Sequence, residues 1–271
     1  MVDCRLICSD VDGTLVNSEL KISKDTNCLI RRVVTERDVP FALVSGRFRS
    51  GMTFLREDLG IDAPLCCFNG AYVEIGGEIV VNNPITVEQA RKVLFYSSME
   101  QMDNIIFDLD NWYMEQTGYW YDRQVRMSHS QGTIVRFDTL LDNWEKTGHV
   151  FYKILPKSED PAKVKRLESI LQYALGDELE IFSSSPYIVE TAFKGTSKAK
   201  ALVTLTNYYR IKPSQVMAFG DYDNDEDMLK ACGYPVAMGN GTDKVKKLAC
   251  YVTDDNDHDG IAHALRHFFF K

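Results

Sequence analysis

The run Ile7-Cys8-Ser9-Asp10-Val11-Asp12-Gly13-Thr14-Leu15-Val16 constrains this chain more than any other stretch. A short apolar segment reads as a buried strand, and it empties into Asp-x-Asp-Gly-Thr. Side chains alternate along a strand, so two acids two residues apart can face the same way. Gly13 lets the chain leave the strand without a steric penalty. Two neighbouring carboxylates repel unless a cation or a shared proton relieves them. The arrangement calls for a metal, a proton-transfer role, or both.

Around this run the first 82 residues alternate between strand-like and helix-like segments. Residues 4–9 read as a strand, 23–38 as a helix capped by Ser23, 40–45 as a second strand, and 64–68 as a third apolar run ending at Asn69-Gly70. Continuous apolar strands separated by helices predict a parallel sheet covered on both faces. Asn82-Asn83-Pro84 breaks the pattern, and Thr86 with Gln89 marks a capping box for a helix over about 87–101. The aromatic, β-forming region 104–155 predicts antiparallel strands. Asp160 and Pro161 open a further helix that Gly176 ends. From about 190 the alternation returns, with a helix near 198–209, a strand over 215–220, a helix near 225–231, and short strands near 235 and 251. The expected organisation is a core made of residues 1–82 and 190–271, interrupted by an α+β insert at 83–189.

A second strand also ends in acids: Val216–Phe219 runs into Gly220-Asp221-Tyr222-Asp223-Asn224-Asp225. In an open α/β sheet, ligands sit beyond the carboxyl ends of the strands. Asp10 and Asp12, Ser45-Gly46 and Asp221 are therefore expected at one edge. Lys198 stands near the start of a predicted helix, where the macrodipole disfavours a cation. An anion close by justifies it.

Composition narrows the class. A net charge of −8 argues against nucleic acid as the main partner. It leaves phosphorylated small molecules open, since a divalent cation can reverse the local sign. No stretch reaches a membrane span of about 18 apolar residues, and no secretory signal is visible, so a cytoplasmic protein is expected. The seven cysteines, odd in number and without C-x-x-C, read as reduced thiols. Asp255–Gly260 fits the start of a calcium loop, but Arg266 stands where the bidentate glutamate belongs, so it reads as an acidic loop. Trp112, Tyr113, Tyr119, Trp120 and Tyr121 read as packing of a small sheet, as a stacking surface for a substrate ring, or as both.

Asp10 to Leu15 resembles the D-x-D-G-T-L motif of the haloacid dehalogenase superfamily. Ser45-Gly46-Arg47, Gly195 to Leu202 and Gly220 to Leu229 are similar to its second, third and fourth motifs, in the same order. The chain is identified on these residues as resembling the Cof-type phosphatases with a type IIB cap. Ala199, Gly241 and Cys250 depart from the family's usual residues, and none is an expected catalytic group. The resemblance implies an α/β fold, a Rossmann-like parallel-sheet core with the α+β cap inserted in it. It implies a Mg²⁺-dependent phosphatase of small phosphorylated metabolites, monomeric or weakly dimeric, with neither nucleic acid nor membrane as partner. A hexose-phosphate mutase of the same superfamily is the alternative.

The resemblance also assigns roles. Asp10 would be the nucleophile forming an aspartyl-phosphate, and Asp12 the general acid and then base. Mg²⁺ would be held by the Asp10 carboxylate, the Asp12 backbone carbonyl and Asp221. Val11, Ser45, the Gly46 amide, Lys198 and Asn224 would hold phosphoryl oxygens, with Asp225 orienting Lys198 or a metal-bound water. Substrate choice would lie in the insert.

Overall fold

A computed structural model describes residues 2–270. The leading segment lays down β1 (Leu6–Ser9), α1 (Lys24–Arg37), β2 (Phe41–Val44), α2 (Ser50–Leu59), β3 (Leu65–Cys67), β4 (Tyr72–Ile75) and β5 (Glu78–Asn82). A middle segment follows with α3 (Val87–Met99), β6 (Asp103–Phe107), β7 (Trp112–Met114), α4 (Tyr119–Ser128), β8 (Thr133–Ile134), α5 (Phe137–Thr147), β9 (Lys153–Lys157), α6 (Pro161–Leu175), β10 (Leu179–Ser185) and β11 (Ile188–Phe193). The closing segment holds α7 (Lys198–Tyr209), β12 (Val216–Gly220), α8 (Glu226–Ala231), β13 (Tyr234–Ala237), α9 (Asp243–Leu248), β14 (Tyr251–Val252) and α10 (Gly260–Phe269).

The chain divides into two compact units. One takes the chain up to Arg47, Met52–Val81 and the chain from Ser197 onward; the other takes Phe48–Gly51 and Asn82–Thr196.

In the first unit eight strands lie in the order β14-β13-β12-β1-β2-β3-β4-β5. Every residue of β1, β2, β3 and β12 is buried, because helices cover both faces and leave no polar side to the sheet. The six strands from β14 to β3 run parallel. β4 departs from the expected all-parallel sheet by pairing antiparallel with β3. Only the tight turn Phe68–Gly70 joins the two, and a parallel return needs a crossover of about a dozen residues. β1 is flanked by β2 on one side and β12 on the other, so the sheet reverses its winding there. That puts the carboxyl ends of all three strands beside one crevice.

α1 shows how local sequence sets an element. Ser23 Oγ accepts from the Thr26 amide at 3.1 Å, and Leu29, Ile30 and Val33 turn inward.

The second unit carries a six-stranded sheet in the order β10-β11-β9-β6-β7-β8. It is antiparallel apart from β7 and β8, which pair parallel. Val93 of α3, Leu140 and Trp144 of α5, and Leu167 and Leu171 of α6 pack with Ile106 and Ile154 into its core. Thr86 and Gln89 form the capping box of α3, and Asp160 caps α6 with Pro161 in its first turn.

Besides the antiparallel β4, the structure corrects two sequence expectations. Residues 104–155 are not all strands: α4 and α5 lie within them. Strand propensity yielded to the helical spacing of Phe137, Leu140, Leu141 and Trp144, which all turn into the core. Strand and helix alternation does not return at 190 either, since β11 still pairs with β10 and β9; it returns at α7. Among the described residues no helix is long and apolar enough to cross a membrane.

Candidate active site

Asp10 follows directly on β1 and is 4% exposed. Beyond it the chain folds back on itself: the amides of Leu15 and Val16 both donate to the Val11 carbonyl, at 3.0 Å each. Gly13 makes that turn with φ of 78°, and a Cβ there would lie 2.5 Å from Asp221 Oδ2. Only glycine combines that backbone with that approach. The turn delivers the Thr14 hydroxyl to Asp221, which accepts from it at 2.8 Å. Asp221 follows on β12, so the first and fourth sequence motifs meet here.

Lys198 opens α7, whose N-cap Ser197 accepts from the Lys200 amide at 3.2 Å. Its ammonium, 2% exposed, donates to Asp10 Oδ1 at 2.6 Å and to Asp225 Oδ1 at 2.5 Å. A cation at a helix start is thereby matched by two carboxylates. The other oxygen of Asp225 accepts from the amides of Asp221 and Tyr222, each at 3.0 Å. Both Asp225 oxygens are thus occupied by the protein, and the residue locks Lys198 to the loop after β12.

Asp12 takes a different partner. Arg47 grips its carboxylate with Nε at 2.9 Å and Nη2 at 2.6 Å. Ser45, at the end of β2, is buried, and its hydroxyl accepts from the Arg47 amide at 3.2 Å. Val11 is buried in the loop after Asp10, and Asn224 is exposed beside Asp225. The structure therefore brings Asp10, Asp221, Asp225 and Lys198 together, with Asp12 turned to Arg47. Arg47, Thr14 and Asn240 are contacts that sequence reasoning did not single out; Asn240 Nδ2 donates to the Gly13 carbonyl at 2.8 Å. Thr14 and Arg47 lay inside recognised motifs and Asn240 at the end of a stretch that also resembles the family, but none of the three had been given a role.

Charge shapes the chemistry. Burial pushes the Asp10 carboxyl well above the usual carboxylate range; Lys198 opposes this, while Asp225, Asp221 and Asp12 add to it. Burial also works to discharge Lys198, but Asp10 and Asp225 outweigh it and keep the ammonium protonated. Burial pushes Asp221 up to about 6, against the hydrogen bond from Thr14. Carboxylate oxygens of Asp10, Asp221 and Asp225 lie within 4.8 Å of one another, with one ammonium among them. Hard oxygen donors with an excess of negative charge suit a hard divalent cation, so the residues present fit a metal.

Elsewhere, Trp112 is fully buried and donates to Ser130 Oγ at 3.1 Å, and Tyr113 donates to Asp108 at 2.7 Å. Tyr119, Trp120 and Tyr121 start α4 rather than a strand, and with Asp103, Met114 and Gln116 they line a cavity of about 160 Å³. In the acidic loop after β14, Asp257 accepts from the Ser18 amide at 2.8 Å and its hydroxyl at 2.7 Å. Asp259 accepts from Ser23 and Thr26. These carboxylates serve to tie the loop to the start of α1.

The model of the haloacid dehalogenase-like hydrolase family matches residues 7–265. A 5-amino-6-(5-phospho-D-ribitylamino)uracil phosphatase of Bacillus subtilis (strain 168) is 33% identical over 98% of this chain and 96% of its own. A second phosphatase of that name and organism is 27% identical over 97% of each chain. Among solved structures, a haloacid dehalogenase-like hydrolase from Bacteroides thetaiotaomicron superposes with a TM-score of 0.86 at 28% identity, covering 98% of this chain and 100% of that one. The similarity runs the length of both units and takes in every strand end described above. The chain belongs to the haloacid dehalogenase-like hydrolases, among their Cof-type phosphatases, and is a phosphoric monoester hydrolase.

Proposed function

We propose that the protein hydrolyses phosphomonoesters of small metabolites through a phosphorylated Asp10, with Mg²⁺ as its divalent cation. The observation that carries this reading is the contact of Lys198 with both Asp10 and Asp225, at the carboxyl end of β1. Asp10, Asp221 and the Asp12 carbonyl would hold the cation, which supplies charge neutralisation at the phosphate.

The chain's own groups do the rest. An Asp10 carboxylate oxygen attacks phosphorus, forming the acyl-phosphate bond as the ester P–O bond breaks. Asp12, once released by Arg47, gives its proton to the leaving alkoxide. Asp12 then takes a proton from water, whose oxygen attacks phosphorus and frees Asp10 and inorganic phosphate. Lys198, Ser45, the Gly46 amide and Asn224 hold the phosphoryl oxygens as charge moves between them, and the amide of Val11 adds a further donor. Asp225 orients Lys198.

The two relatives named above act on 5-amino-6-(5-phospho-D-ribitylamino)uracil, and a phosphorylated ribitylaminopyrimidine is our first candidate substrate. We place its selection in the second unit. The net charge of −8 disfavours nucleic acid as a partner, and we place the enzyme in the cytoplasm with neither nucleic acid nor membrane bound.

The test is phosphate release from this compound beside sugar phosphates, nucleotides, flavin mononucleotide and pyridoxal phosphate, with Mg²⁺ and with chelator. Metal-dependent turnover that disappears in a folded Asp10→Asn variant is expected. Substantial turnover by Asp10→Asn would remove the nucleophile, and another substrate preferred by a hundredfold would remove the candidate.

A further inference from the structure

One buried side chain at the end of β3 has nothing to bond. Asn69 is 6% exposed, its Oδ1 is enclosed without a hydrogen-bond partner, and its carboxamide makes no hydrogen bond among the described residues. Buried side-chain polar atoms nearly always have a partner, and leaving one unmet costs about 1–3 kcal/mol.

The position of Asn69 narrows what the missing partner is. Its own amide donates to the Ser45 carbonyl at 2.8 Å, and the Phe68 amide donates to the Arg47 carbonyl at 3.0 Å. The turn Phe68–Gly70 is thereby tied to both flanks of Gly46. On its other side, a Cβ on Gly70 would lie 2.9 Å from Ala201 Cβ and 3.3 Å from the Ser197 carbonyl. That is the first turn of α7, next to Lys198. Asn69 accordingly stands between the Ser45-Gly46 loop and the helix start that carries Lys198.

A backbone explanation accounts for only part of this. Asparagine tolerates its φ of 57°, but glycine would do so as well and would leave no orphaned oxygen. Phe68 before it also holds a positive φ, of 51°, which a bulky residue adopts only when its surroundings impose it. The turn keeps a strained backbone and an unsatisfied amide at one place.

We propose that Asn69 is a further phosphate-binding residue, its carboxamide NH₂ donating to an oxygen of the bound phosphoryl group. This rests on reading the site as a phosphomonoester centre, in which Ser45, Gly46 and Lys198 on either side hold the same group. No hydrogen bond fixes the carboxamide, so it can turn about Cβ–Cγ to put its nitrogen where the unmet oxygen stands, and there a phosphoryl oxygen supplies the acceptor it lacks. Being neutral, it adds a donor without altering the charge balance among Asp10, Asp221 and Asp225.

The test uses Asn69→Gly, which keeps the backbone conformation, and Asn69→Asp, which keeps the shape and replaces the donor with a carboxylate. Inorganic phosphate is titrated in the presence of Mg²⁺, reading the rise in melting temperature and competitive inhibition of aryl phosphate hydrolysis. The ligand-free melting temperature of Asn69→Gly should equal or exceed that of the wild type. Its phosphate dissociation constant should rise about tenfold, and that of Asn69→Asp further still. Wild-type phosphate affinity in a folded Asn69→Gly or Asn69→Asp overturns the inference and leaves the phosphatase site standing. A wild-type protein with no response to phosphate overturns both.

Discussion

Arg47 holds both oxygens of Asp12, Nε at 2.9 Å and Nη2 at 2.6 Å. The fork fixes the carboxylate in one orientation, and in the mechanism proposed above Arg47 thereby positions Asp12 for the proton transfer it makes once released. The Asp12 side chain is 41% exposed, and the pair is partly screened. Arg47→Ala should lower kcat about tenfold, corresponding to about 1.4 kcal/mol, with a smaller change in KM. Arg47→Lys should fall between, because an ammonium replaces the charge but not the fork. Unchanged kcat in both variants would show that this pair takes no part in turnover.

Removing Lys198 leaves Asp10 and Asp225 buried together without their cation. Breaking a buried pair in this way costs about 3–5 kcal/mol. Burial and the neighbouring acids already push Asp10 up, and the variant loses the ammonium that opposes them. A carboxyl raised in the folded state keeps a proton that the unfolded chain releases, so the fold loses stability as pH rises. Lys198→Ala should therefore melt closest to the wild type near pH 5 and furthest below it near pH 8. A gap independent of pH would contradict the assignment.

Lys157 on β9 is 2% exposed, and its ammonium lies 5.3 Å from the ring centroid of Trp120. Burial pushes it down to about 7, with Arg123 and Lys153 acting in the same direction. A lysine depressed in the folded state costs stability below its folded value, and the cost is relieved as pH rises toward the unfolded value of about 10.4. Lys157→Met should raise the melting temperature most at pH 6 and little at pH 10. A variant that melts earlier than the wild type at pH 6 would show that the Trp120 contact outweighs the burial penalty.

Divalent metal should stabilise the folded protein even without substrate. A ligand at a hundred times its dissociation constant adds about 2.7 kcal/mol by mass action. Titrating Mg²⁺ while following the melting temperature should give a saturable rise in the wild type and a weaker one in Asp221→Asn. Equal midpoints in the two proteins would remove Asp221 from the metal site.

The aromatic residues of the second unit separate by burial. Trp112 is fully buried, and Trp112→Leu should cost about 2–4 kcal/mol of stability while leaving the order of substrates alone. Tyr119 is 54% exposed on the rim of a cavity, and Tyr119→Leu should leave the melting temperature alone while reordering substrates. Ranked turnover on two or more substrates, beside melting curves, decides this. An unchanged ranking for Tyr119→Leu would move selection elsewhere in the unit.

The parts of the site that could be read in advance were those carried by strand ends. β1 and β12 are uninterrupted apolar runs that stop at Asp10 and Gly220, and the pattern shows where they stop and which residues come next. Lys198 was conspicuous because a cation at a helix start is electrostatically out of place. Helices α4 and α5 were harder to recognise: aromatic and β-branched residues between 104 and 155 favour strands locally, and packing around Trp144 overrode them.

The sequence alone determined the alternation of buried strands with helices, the chemistry available at each strand end, and the order of the motifs. Burial pattern, turn residues and side-chain type are local properties, and each strand carries its own. Tertiary structure alone decided the partnerships. Arg47 reaches Asp12 across 35 residues, Lys198 reaches Asp10 across 188, and Asn69 lies between two loops that meet it only in the fold. Which carboxylate takes the lysine, which takes the arginine, and which amide is left unbonded depend on strand order and register. Those follow from the whole chain closing its core at once, because a pairing between distant residues gains energy only when the sheet between them has formed.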